Sequence, residues 1–170
     1  MALVTGLLVF ASAEVSLAQC RPGNENPDIV ASTPESDFED GMDGTVLHVP
    51  TGLIWQRCAL GQTWTGSTCT GSAQQYSWEA ALQTADVQNG QSDWRVPNRN
   101  ELSALVEDRC FGPALNELVF PEAPGGETWT SSTVTGQPGQ AWSVDFDGGA
   151  VQAASISDAK TVRLVREPQP

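Results

Sequence analysis

The order of patterns along the chain predicts an α+β domain, two helices packed on antiparallel strands. Three observations carry this. Two β-rich runs flank Pro50-Thr51-Gly52, two amphipathic helix patterns follow over residues 77–90 and 98–108, and the last third alternates with period two. One domain is expected, because 170 residues is an ordinary single-domain length.

Residues 3–13 are apolar and small, and Ser16-Leu17-Ala18 has the small-x-Ala form of a signal-peptidase site. Residues 1–18 therefore read as a signal peptide with Gln19 as the mature N-terminus, although no Lys or Arg precedes the apolar run. The run is too short for a spanning helix, so membrane insertion is not expected. Leu17-Ala18-Gln19-Cys20 resembles a lipoprotein box, with Gln19 where a small residue belongs. Residues 19–35 are polar and proline-rich, an arm tethered by Cys20 ahead of one domain over 36–167.

From Pro22 to Gln56 there is no Lys or Arg, while seven acids stand between Glu25 and Asp43. A solvated acidic face is the main reading. A calcium site over 37–43 is the alternative, but the Asp-x-Asp-x-Asp-Gly order and distal Glu are missing. Residues 44–49 and 53–58 then form two strands, with His48 on the polar alternation of the first and expected to be exposed. Residues 61–72, rich in Gly and Thr, read as a stapled loop.

Ser77 is placed to cap a helix through Trp78, Ala81, Leu82 and Ala85, ending near Asn89-Gly90. The next start is the most explicit in the chain. Asn98 is an N-cap, Glu101 three residues on completes a capping box, and Pro97 keeps Val96 extended. Leu102, Leu105 and Val106 give that helix an apolar face to about Asp108. Residues 111–126, with three prolines, are expected to be loop, with a helical turn at 115–118. Strands follow at 128–132, 141–146, 150–156 and 161–166, the middle pair joined by an Asp147-Gly148-Gly149 turn.

A formal charge of −13 excludes nucleic acid and anionic membrane surfaces as partners, since both need a positive footprint. Four cysteines in an exported chain imply two disulfides, with three pairings open. Cys58 and Cys69 close a short loop and are the expected pair, leaving Cys20 with Cys110. Zinc is the rival use, but no Cys-x-x-Cys spacing exists and His48 is the one histidine. No metal and no cofactor are expected.

Six Trp against one Tyr suggests a core built on a few large aromatic anchors. Trp55, Trp94, Trp129 and Trp142 lie on strand-like segments and are read as these anchors. Trp64, in the Gly/Thr loop, is the candidate ligand contact, an exposed ring for stacking on a sugar. Arg95 is expected to pair with Asp93 or with a strand carboxylate such as Asp145, a fold-specifying role. A single histidine leaves no Ser-His or Cys-His arrangement, so no enzyme is expected.

Several of these segments, in this order, resemble the Lcl C-terminal domain family, a bacterial extracellular module of unassigned function. They are Thr51-Gly52-Leu53-Ile54-Trp55-Gln56-Arg57-Cys58, Asp93-Trp94-Arg95-Val96-Pro97-Asn98 with Glu101-Leu102, Trp129-Thr130-Ser131-Ser132, Ala141-Trp142-Ser143-Val144-Asp145-Phe146, and Val162-Arg163-Leu164-Val165-Arg166. The resemblance spans residues 36–166. It implies a C-type-lectin-like fold, which includes a formylglycine-generating-enzyme branch, and an adhesion role like that of a collagen-like adhesin whose domain takes sulfated glycosaminoglycans. The chain departs from that picture in three ways. Leu164 stands where many relatives have Cys, the collagen-like stalk is missing, and −13 is the wrong sign for a heparin-like ligand. The lectin calcium signature is absent too, and an enzyme of the formylglycine-generating kind would need a reactive Cys pair. The expected function is a secreted or periplasmic binding module presenting loops 111–126 and 133–140 to a glycan or protein, with a structural envelope component as the alternative. Oligomeric state stays open.

Overall fold

The computed structural model describes residues 20–84 and 93–169. The expected signal peptide and the end of the helix predicted to reach Asn89 lie outside the described residues.

After the arm and a 3-10 turn at Glu35–Asp37, three short strands form a meander: β1 (Phe38–Asp40), β2 (Thr45–His48) and β3 (Leu53–Gln56). β1 falls inside the acidic segment, where no strand was expected. The last strand, β9 (Val165–Arg166), pairs with β3, giving an antiparallel sheet in the order β1-β2-β3-β9. β4 (Thr63–Trp64) and β5 (Cys69–Thr70) make a small hairpin, so the stapled loop is a stapled hairpin. A second antiparallel sheet follows from β6 (Glu127–Thr133), β7 (Gln140–Asp145) and β8 (Ala150–Ser155). The domain is thus α+β and mostly antiparallel.

Among the described residues the two α-helices are α1 (Trp78–Thr84) and α2 (Arg99–Ser103). At α2 the Asn98 Oδ1 accepts from the Glu101 N–H at 3.0 Å and the Glu101 carboxylate accepts from the Asn98 N–H at 2.7 Å, a complete capping box. The helix stops five residues short of the expected Asp108. Beyond Ala104 the backbone tightens into turns, in which Leu105 N–H donates to Leu102 O and Val106 N–H to Ser103 O. These turns still bury Leu105 and carry the chain to Glu107, which is fully buried.

The segment 160–166 runs between the two sheets and is buried almost throughout. Trp129 N–H donates to Thr161 O at 3.0 Å on one side, and Gln56 N–H to Leu164 O at 3.1 Å on the other. Only its last two residues form a regular strand, because its bonds alternate between neighbours. One core cluster centres on Trp55, Phe120, Phe146, Leu102 and Leu105, and the other on Trp94, Trp129, Val162 and Leu164. Arg163 lies fully between β3 and the 111–126 segment, where burial pushes its pKa down to about 9. Its guanidinium donates to the carbonyls of Gln56 at 2.8 Å and Arg57 at 2.6 Å.

Several expectations are corrected. His48 is buried rather than exposed, stacked on Phe38 at 4.8 Å, and burial lowers its pKa against the opposing pull of Asp37. Period two shows that β2 has two faces, and His48 lies on the buried one with Val46, beside its β1 partner Phe38. Arg95 pairs neither with Asp93 nor with Asp145; it forks Glu101 at 2.7 and 2.9 Å and reaches Glu167 at 2.8 Å. Burial acts to raise the Glu101 pKa, but the bonds from Arg95 and the Asn98 N–H outweigh it and hold the carboxyl low. Asp93 pairs with Arg166 instead. Trp142 is half-buried and stands on the opposite face of β7 from Ala141 and Ser143, so it is not a core anchor. Residues 115–118 form no helix, only the start of a turn at 117–119, and the segment 111–126 sends Leu115, Val119, Phe120 and Ala123 into the core.

Candidate functional site

Two disulfides are present. Cys58 is bonded to Cys69 across 11 residues and Cys20 to Cys110 across 90. The first builds the candidate site. In the β4–β5 hairpin Trp64 pairs with Cys69, so the tryptophan sits directly across from the bridge. Thr65 N–H donates to Thr68 O at 2.9 Å and closes the turn.

Trp64 is half-buried rather than fully exposed. The Arg57 guanidinium lies over its ring at 4.8 Å from the centroid. Arg57 is itself held by Val119 O at 2.8 Å, Leu118 O at 2.7 Å and Asp40 at 3.1 Å. On the backbone side Gly44 abuts the indole so closely that an added Cβ would fall 2.8 Å from its Cγ. The ring is therefore locked before any ligand arrives, and ligand binding need not order it.

Beside Trp64 opens a groove of about 330 Å³, walled by the turn around Gly44, by residues 58–63 and by Trp94. Gln62 is consumed by the fold, accepting from Ala59 N–H and donating to Glu122 O. Asp43 accepts from the Thr45 N–H and hydroxyl. Three other lining groups, the Gln56 amide, the Thr63 hydroxyl and the Trp64 indole N–H, have no hydrogen-bond partner among the described residues. An indole edge flanked by an amide and a hydroxyl suits a hydroxylated ring.

Gly44 tests this arrangement. With φ at +89° and Trp64 against it, Gly44→Ala is expected to cost about 1–3 kcal/mol, from left-handed backbone strain and overpacking. Urea unfolding measures this, and a loss under about 0.5 kcal/mol would show that the indole moves freely.

Sequence reasoning reached Trp64 but missed Arg57 and Gly44, which hold it, and Gln56, which lines the groove. It also missed Glu107, the buried clamp on the arm, whose only trace was an acid just after an apolar helix face. Of the anchors, Trp55, Trp94 and Trp129 are buried. The acidic segment spends Asp40 on Arg57 and Met42 N–H, and Asp43 on Thr45. Among the described residues no group of three or more His, Cys, Asp or Glu could hold a metal ion.

These features define a small, disulfide-stapled, mostly antiparallel α+β module, and among the described residues no helix is long and apolar enough to cross a membrane. Two disulfides fit an oxidising compartment. The chain belongs to the Lcl C-terminal domain family, whose model matches residues 44–166, from the glycine beneath Trp64 to the end of β9. No curated protein matches the chain. Family membership suggests an extracellular domain.

Proposed function

We propose that this chain is a secreted or periplasmic, non-catalytic binding module of the bacterial envelope that recognises a saccharide at the Trp64 groove on a C-type-lectin-like scaffold. The observation that carries the reading is the locked, half-buried indole beside unpartnered amide and hydroxyl groups. Support for the scaffold comes from the pairing of β9 with β3, which brings the last strand into the first sheet, and from the separate β6–β8 sheet. All four cysteines are bonded, so no thiol is free for chemistry. The net charge of −13 favours a neutral saccharide over a sulfated polyanion at this groove.

A glycan array is the test. Hits should be retained at moderate salt, and Trp64→Ala should weaken them at least about tenfold, or ~1.4 kcal/mol. Absence of hits, or hits indifferent to Trp64→Ala, would favour a structural envelope component instead.

A further inference from the structure

A second groove, of about 300 Å³, lies at the junction of α2 with β6 and β7. Pro97 O accepts from Ser131 N–H at 2.8 Å and Ser132 Oγ accepts from Arg99 N–H at 3.0 Å, which fixes its walls. Into it face Arg99, Asn100, Thr133, Thr135 and Trp142.

Arg99 stands apart from the seven other bases; all eight lie among the described residues. Arg21, Arg57, Arg95, Arg109, Lys160 and Arg166 each pair with a carboxylate. Arg163 is buried against two carbonyls. Arg99 is exposed, and among the described residues its guanidinium has neither a carboxylate nor a carbonyl partner; it lies over the Trp142 ring at 5.1 Å. In a chain with 21 acids and 8 bases, the Arg99 guanidinium keeps its N–H groups unused by the described residues. Stacking on an indole engages the face of a guanidinium and leaves its N–H edge open, the edge that takes a carboxylate through two parallel bonds. The Asn100 amide and the Thr133 and Thr135 hydroxyls also lack protein hydrogen-bond partners among the described residues. Apart from Trp142 the lining is polar, which fits ring hydroxyls and not the side chains of a peptide.

We propose that this groove binds a saccharide bearing one carboxylate, of the hexuronate type. Arg99 forks the carboxylate, Trp142 holds Arg99 in place, and Asn100, Thr133 and Thr135 bond the ring hydroxyls. A single cation on a chain of this charge suits one carboxylate and disfavours a dense polyanion. The site does not depend on the Trp64 groove.

Titration of the full chain with D-glucuronate, followed by the Arg99 Nε–H and Asn100 side-chain NMR signals, tests the proposal. Glucuronate should shift both signals, with glucose and acetate each at least tenfold weaker. Arg99→Gln should abolish binding with an unchanged unfolding midpoint, Arg99→Lys should weaken it at least tenfold through loss of the fork, and Trp64→Ala should leave it intact. No shift, equal binding of glucose or acetate, tighter binding of an acidic tripeptide, or full binding by Arg99→Gln would each overturn it. Loss of array hits with Trp64→Ala and loss of glucuronate binding with Arg99→Gln separate the two grooves.

Discussion

Glu107→Ala is expected to cost about 3–5 kcal/mol, a large part of the stability of an ordinary domain. Glu107 is fully buried, and its two oxygens accept from the backbone N–H groups of Ser32 at 3.0 Å, Thr33 at 2.8 Å and Arg109 at 3.0 Å. The Thr33 hydroxyl adds a fourth bond at 3.1 Å. Truncation removes the acceptor and strands these donors, each at a desolvation cost of about 1–3 kcal/mol, and the costs do not simply add. Glu107→Gln should be nearly as damaging, because whichever way the amide is turned its NH2 meets N–H donors. Urea unfolding gives the energy, and hydrogen exchange should show early loss of protection at Ser32 and Thr33. A glutamine variant within about 0.5 kcal/mol of the parent would refute the clamp.

Removing the Cys20–Cys110 bridge by paired serines should cost about 4–5 kcal/mol, since it closes a 90-residue separation. Removing Cys58–Cys69, which closes 11, should cost about 3 kcal/mol. The order of the two unfolding midpoints is the measurement, and a reversed order would mean that the arm is held chiefly by other contacts. Those contacts are real. Arg21 pairs with Glu117, Arg109 with Glu25, and the Asn24 side chain donates to Gly112 O at 2.7 Å. Glu107 and the bridge hold one arm between them, so the combined variant should lose less than the sum of its parts. Strict additivity would show that the two act on separate units.

The two grooves differ in how visible they were beforehand. Trp64 stood out because a tryptophan in a Gly/Thr loop has no strand or helix face to fill. Arg99 and Trp142 did not, because they are 43 positions apart and only the docking of α2 on β6 and β7 brings them together. Trp142 looked like its neighbours on alternating strands. Alternation shows that a strand has two faces; what covers each face is a question of packing.

The chain by itself determined whatever depends on close neighbours. The Asn98–Glu101 capping box, the turn at Asp147-Gly148-Gly149, the period-two strands and the ordered family motifs all involve residues within one turn or one strand, where a few atoms decide the geometry. The pairing of Cys58 with Cys69 belongs here too, since 11 residues restrict what the chain can close. Tertiary structure alone decided the partners of Arg95 and Asp93, the burial of His48, the inward turn of residues 111–126, the stop of α2 at Ser103, and the role of Glu107. Glu107 meets Thr33 across 74 positions and Arg95 meets Glu167 across 72. Charge and apolar period are properties of single segments, but the partner of a charge and the covered face of a segment are properties of two, and the second segment is named only by the fold.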